Sequence, residues 1–176
     1  MSQFPPVIVA VNALWEKIDE QTLSVAAAAV TFSGINTSFT FFHIAAWMIK
    51  AAGGGNQPIL RINNDSAGNY DHQRITGDTA SVTGARVTGD TGIDITFGAI
   101  GVGEEVNFVM TIAKPVAGEE AQTVHIAGPQ ATDINLDLYG GQWNNTAALI
   151  SRLDILAVSA NFDVDTRVLL EGAQPA

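Results

Sequence analysis

The sequence predicts an all-β fold, an antiparallel β-sandwich, and three observations carry that prediction. Apolar and polar residues alternate with period two through most of residues 22–172. Gly, Asn, Asp and Pro break these runs at short intervals, and helical periodicity is almost absent. The chain has 176 residues, 47% hydrophobic and 15% charged, which supplies one well-filled core and excludes a disordered chain.

Along the chain, Asn12 to Gln21 is the one helix candidate, with Leu14, Trp15 and Ile18 on a stripe. It is too short to be stable alone, so an irregular segment is the alternative. The first strand is expected over Thr22 to Phe32, and Ser33 to Asn36 turns the chain. Phe39 to Ile49 is apolar on both faces: Phe39, Phe41, Trp47 and Ile49 on one, Phe42, Ile44 and Met48 on the other. Such a strand is covered twice, within the sandwich or by a neighbouring subunit.

Gly53 to Asn56 reads as a loop, Leu60 to Asn63 as a short strand and Asn64 to Gly68 as turn chemistry. Thr76-Gly77-Asp78-Thr79 and Thr88-Gly89-Asp90-Thr91 read as hairpin corners around Ser81 to Val87 and before Ile93 to Phe97. Glu105 to Lys114 and Gln122 to Ala127 form a hairpin through Pro115 to Gly118. Ile134, Leu136 and Leu138 mark the next strand, followed by Leu149 to Val158 and Arg167 to Leu170. Nine or ten strands in one domain correspond to a sandwich of jelly-roll type. Residues 1–21 are an N-terminal arm and short connecting segment, and residues 22–176 are the β-sandwich domain.

Charge and composition exclude several functions. Eighteen Asp and Glu against eight Lys and Arg give a formal charge of −10, with no basic cluster. Neither nucleic-acid phosphates nor an anionic membrane surface is an expected partner. Without cysteine there is no disulfide, thiolate metal site or cysteine nucleophile. The N-terminus does not read as a signal peptide, and the apolar run Phe39 to Ala52 is interrupted by His43 and Lys50, so cytosolic synthesis is expected.

No catalytic, cofactor-binding or metal-ligating residue stands out. Nucleophile-elbow, phosphate-loop and dinucleotide patterns are absent; Gly98, Gly101 and Gly103 read as a turn. His43 is expected as a hydrogen-bonded core or interface residue, and His72 and His125 as surface residues of strands. Asn63, Asn64, Asp65, Asn69 and Asp71 are the densest oxygen donors; a polar turn is favoured there over a calcium loop. The pairs Asp94 with Glu104 and Asp163 with Asp165 carry no glycosidase signal without aromatic platforms. Of the three tryptophans, Trp47 is expected in the core and Trp143 as a buried anchor for a crossing loop, while Trp15 is left open. No metal or organic cofactor is expected to be needed for folding.

The order of elements resembles a class of small bacteriophage structural proteins. Glu20-Gln21-Thr22-Leu23, with Val25 to Ile35, resembles their opening, and an apolar strand follows as Phe39 to Lys50. Leu60 to Asp65 and Gly68 to Asp71 resemble an Arg-Phe-Asn-Gly-Asp segment ending in Asn-Tyr. Trp143 to Ala148 with Ser151 to Asp154, and Asn161 to Asp163 through Thr166 to Gly172, resemble the closing elements. The chain departs from the pattern at Ile62, Asn64 and Leu170-Glu171.

That resemblance implies a non-enzymatic virion protein with a jelly-roll-like domain. The expectation is a capsid decoration (cement) protein, homotrimeric, binding the major capsid protein or another virion protein. A tail or fibre component and a carbohydrate-binding module are the alternatives. The segment Met1 to Ala13, stiffened by Pro5-Pro6, is expected to dock on a neighbour.

Overall fold

Period-two alternation becomes twelve strands in the computed structural model, which describes residues 15–51, 57–78, 81–96, 101–114, 116–128 and 135–174. They are β1 (Glu16–Thr22), β2 (Ala29–Ser33), β3 (Phe41–Ile49), β4 (Pro58–Ile62), β5 (Tyr70–Asp78) and β6 (Ser81–Asp90). The remainder are β7 (Ile93–Asp94), β8 (Glu105–Ala113), β9 (Ala121–Gly128), β10 (Asn135–Trp143), β11 (Arg152–Ala157) and β12 (Arg167–Ala173). No helix occurs among the described residues.

The strands form two packed antiparallel sheets, so the chain is an all-β sandwich. The long sheet runs β1-β12-β3-β8-β9-β10-β5-β6 and the short one β2-β11-β4-β7. Four antiparallel pairs are nested in sequence, β1·β12, β2·β11, β3·β8 and β4·β7, and they alternate between the sheets. The β5–β6 hairpin and the pair β9–β10 then extend the long sheet beyond β8.

The core fills the space where the two sheets overlap. Phe42, Ile44 and Met48 of β3 and Phe108, Met110 and Ile112 of β8 meet Val30, Phe32, Leu60, Ile62, Leu153 and Ile155 of the short sheet. All are 2% exposed or less, and each such burial contributes about 1.5–3 kcal/mol. Trp143, at the end of β10, closes one end of this core; it is buried, as expected, but lies in a strand rather than under a crossing loop.

Three expectations are corrected. From Glu16 on, the helix candidate is instead an edge strand, β1, paired with β12 from Glu16↔Gly172 to Thr22↔Arg167, while Asn12 to Leu14 lie outside the described residues. Ten residues of weak amphipathicity cannot outweigh a full ladder, and Glu20 also pairs with Arg167 and Lys17. The strand expected over Thr22 to Phe32 shortens to β2, because residues 23–28 carry the chain from the long sheet to the short one. There Leu23 N donates to Thr166 O, and Ala27 bridges Phe162. β5 was not anticipated, since Asp71, His72, Gln73 and Arg74 hide its alternation. The proposed arm Met1 to Ala13, the Gly53 to Asn56 loop and Ile134 lie outside the described residues.

Replacing Phe42 with Ala should destabilise the fold by about 3–5 kcal/mol in urea denaturation. Val82, 75% exposed on β6, serves as the control, and Val82→Ala should stay within about 0.5 kcal/mol. Similar losses at both positions would contradict this core assignment.

Candidate functional site

The long sheet is twice as wide as the short one, and its outer face carries the most distinctive surface. Where the sheets overlap, apolar residues point inward. In β9 and β10 the polarity is inverted: Val124, Ile126, Leu136 and Leu138 face out, while Thr123, His125, Asp137 and Tyr139 are buried. Strand pairing aligns the outward residues into one row: Leu169, Ala45, Val109, Ile126, Leu138, Ile75 and Gly84. Seven strands contribute, so the row spans roughly 29 Å at about 4.8 Å per strand. No charged residue interrupts it, and Val109, Ile126, Leu138 and Ile75 are 51%, 52%, 42% and 54% exposed. Contiguous exposed apolar surface of this kind marks an interaction site.

The outer face of β3 crosses this row at Ala45 and carries aromatic residues on either side of it. Phe41 and Trp47 are exposed there, and Trp15 lies against His43 with ring centroids 5.7 Å apart. Trp47 is therefore not core, as the sequence had suggested; alternation from Phe42, Ile44 and Met48 turns it outward at 47% exposure. His43 is half-buried, and its Nδ1 sits 3.0 Å from Glu171 Oε2 across the β3–β12 pair.

Inside the extension lies a polar layer. His72 and His125 are buried, correcting their expected surface positions. In β9 the neighbours Val124 and Ile126 look like a core face but point outward, so His125 takes the inner face; in β5 His72 sits between polar Asp71 and Gln73 and shares the inner face with Tyr70 and Thr76. His125 stacks on Tyr139 at 4.4 Å and 9°, and its Nε2 lies 3.2 Å from Ile95 O. His72 Nε2 lies 3.2 Å from Asp94 Oδ2, and Arg74 Nη1 lies 3.9 Å from the same oxygen. Gly141 pairs with both His72 and Thr123, and a Cβ there would meet Thr123 Oγ1 at 2.9 Å and His72 Cβ at 3.3 Å. The glycine makes room for the layer. Burial pushes the Tyr139 hydroxyl above its ordinary pKa, and pushes His125 down to about 4.

The oxygen-rich segment from Asn63 to Asp71 is a hydrogen-bonded brace. Asn63 Oδ1 accepts from the Ser151 and Arg152 amides, and its Nδ2 donates to Leu149 O. Asp65 Oδ1 accepts from Ala67 N, and its Oδ2 accepts from Asn69 Nδ2 and from Trp143 Nε1 at 2.8 Å. Burial pushes the Asp65 carboxyl up, but these donors together hold it below the usual range. Asp71 accepts from Gly89 N and Asn144 Nδ2. The two carboxylate pairs keep separate local roles. Asp94 faces His72, whereas Glu104 accepts from Gly101 N in the turn before β8. Asp163 Oδ1 accepts from Val164 N, and Asp165 adopts a left-handed φ of 69°.

No protein-family model matches the chain, and no curated protein matches it.

Burial of neutral His125 has a pH signature. The unfolded chain takes up a proton below its ordinary pKa of 6.5, whereas the folded chain does so only near 4. Stability is therefore full above 6.5 and falls as pH drops toward 4, losing about 2 kcal/mol between pH 7 and 5. The lowered carboxyl groups, such as Asp65, lose their stabilisation only at still lower pH. Denaturant titrations at pH 7 and 5 should show this loss, and His125→Gln should flatten it. An unchanged slope in the variant would assign the effect elsewhere.

Proposed function

We propose that this chain is a non-enzymatic structural protein of a bacteriophage virion, a capsid decoration (cement) protein that binds the assembled shell and stabilises it. One observation carries the reading: the inverted polarity of β9 and β10, which exposes a charge-free apolar row on the long sheet. A monomer gains nothing from leaving Ile126 and Leu138 in water while burying Asp137 and His125. An assembly that covers the row does. The row is flanked by a polar one ending in Glu171 and Arg86, the layout of an apolar centre with a charged rim. Self-association as a homotrimer, with the shell as second partner, would cover both the row and the β3 aromatics.

The strand order supports a jelly-roll reading of the sandwich. Nested pairs alternating between two sheets are what one long antiparallel ribbon produces when wrapped around a core, with two hairpin insertions widening one sheet. The resemblance of Glu20 to Gly172 to phage structural proteins supports the virion setting. Stabilisation would follow from mass action: binding the lattice and not its free subunits shifts the equilibrium toward the lattice.

A sugar-binding module is favoured by a different observation, the exposed Phe41, Trp47 and Trp15 on one face. Glycan-array binding lost in Trp47→Ala, with no particle association, would select that reading.

The decoration reading is tested with particles lacking the protein, which should rupture at lower temperature and regain resistance in proportion to added protein. Ile126→Lys combined with Leu138→Lys should leave the isolated fold within about 1 kcal/mol, since both side chains are exposed. The same double variant should abolish self-association in light scattering and fail to restore the particles. A protein absent from purified virions, or a double variant that restores them fully, would sink the proposal.

A further inference from the structure

We infer that His72, Asp90 and Asp94 form a binding site for a zinc-type divalent transition-metal ion at the junction of the two sheets. The three side chains come from three strands: His72 from the inner face of β5, Asp90 from the end of β6 and Asp94 from β7 of the short sheet. One ligand atom of each lies within 4.8 Å of the other two. Asp90 and Asp94 are half-buried beside a cleft lined by Arg61, Thr91 and Gln57. The cleft opens to solvent and provides both an entry route and room for a water ligand.

The independent observation is the state of His72. It is 3% exposed, yet neither ring nitrogen has a hydrogen-bond partner among the described residues. Its Nε2 stands 3.2 Å from Asp94 Oδ2 but off the line of a hydrogen bond. A buried imidazole left in that condition is costly. Two ligands of a tetrahedral zinc ion, each about 2.0–2.1 Å from the metal, are about 3.3 Å apart, so the observed separation fits one edge of that polyhedron. The Thr91 amide donates to Asp90 Oδ1 at 2.6 Å and orients that carboxylate. Gly141 is the β10 partner of His72, and a Cβ there would crowd His72 Cβ at 3.3 Å and Thr123 Oγ1 at 2.9 Å.

Ligand chemistry selects the metal class. One imidazole with two carboxylates suits zinc, whereas calcium and magnesium take more oxygen ligands and disfavour nitrogen. Two carboxylates and a dication cancel in charge, and a chain of net charge −10 attracts the cation. Arg74, 3.9 Å from Asp94 Oδ2, stays as an outer partner of the same carboxylate. The ion would tie β7 to β5 and β6, staple the extension to the short sheet, and leave the apolar core to fold without it.

The test uses the full-length protein freed of metal by chelator. Calorimetric titration with zinc chloride should give one ion per chain, and thermal melting should rise with zinc but not with calcium or magnesium chloride. Asp90→Asn and His72→Gln should each weaken zinc binding at least about 10-fold, and His43→Gln should leave it unchanged. If His72→Gln fails to fold, Asp90→Asn decides, because Asp90 lies at a strand end. Absence of zinc binding, an equal response to calcium, or a response surviving Asp90→Asn would each overturn the assignment.

Discussion

A mismatch of sheet widths governs this molecule. Eight strands on one side face four on the other, so half of the long sheet has no apolar layer to pack against. Side chains on a strand alternate strictly, and a strand beyond the overlap must put something on each face. Here the inner positions of β5, β9 and β10 hold Thr, His, Asp and Tyr, and the outer positions hold Val, Ile and Leu. In the inner layer, beside β7, His125 Nε2 reaches the Ile95 carbonyl and His72 faces the Asp94 carboxylate. The outer layer leaves Val124, Ile126, Leu136, Leu138 and Ile75 exposed on this chain.

The brace around Trp143 shows how the overlap region ends and the extension begins. Trp143 is fully buried, yet its indole nitrogen reaches Asp65 Oδ2, which ties the end of β10 to the link between β4 and β5. Tyr70, one strand over, accepts from the Ile62 amide at 2.9 Å and anchors the start of β5 in the same place. Lys114 lies 5.7 Å over the Trp143 ring and donates to Glu119 O and Asn145 O. Polar side chains from two connections, Asp65 before β5 and Lys114 after β8, converge on one aromatic residue. The extension is held at its root, and its far edge, β6, is exposed on nearly every residue.

Much of this was legible in the sequence, and the misses share a cause. β8 and β9 were readable because their alternation sets large aliphatic residues against polar or small ones, and β3 because a run of large apolar residues fills both of its faces. What alternation does not reveal is which face points inward. Val124 and Ile126 have the composition of a core face, so His125 reads as surface, and the reverse holds. Trp47 is the same error in mirror image. β5 went unseen because Asp71, His72, Gln73 and Arg74 are all polar, although Tyr70, His72 and Thr76 share the buried face. His72 approaches Asp90 and Asp94 only through strand pairing, which sequence separation hides.

The nested pairing also dictates when the molecule can exist. Glu16 pairs with Gly172, so among the described residues the first strand has its only ladder partner in the last one. Everything between must be synthesised and in place before that edge closes. β2 waits in the same way for β11, through Ser33↔Arg152. Contacts so distant along the chain make for slow, late-committing folding, with apolar strands unpaired in the interim. The β1 edge of the long sheet therefore stays open until β12 has been made, and the sandwich closes by joining the two ends of its own strand series.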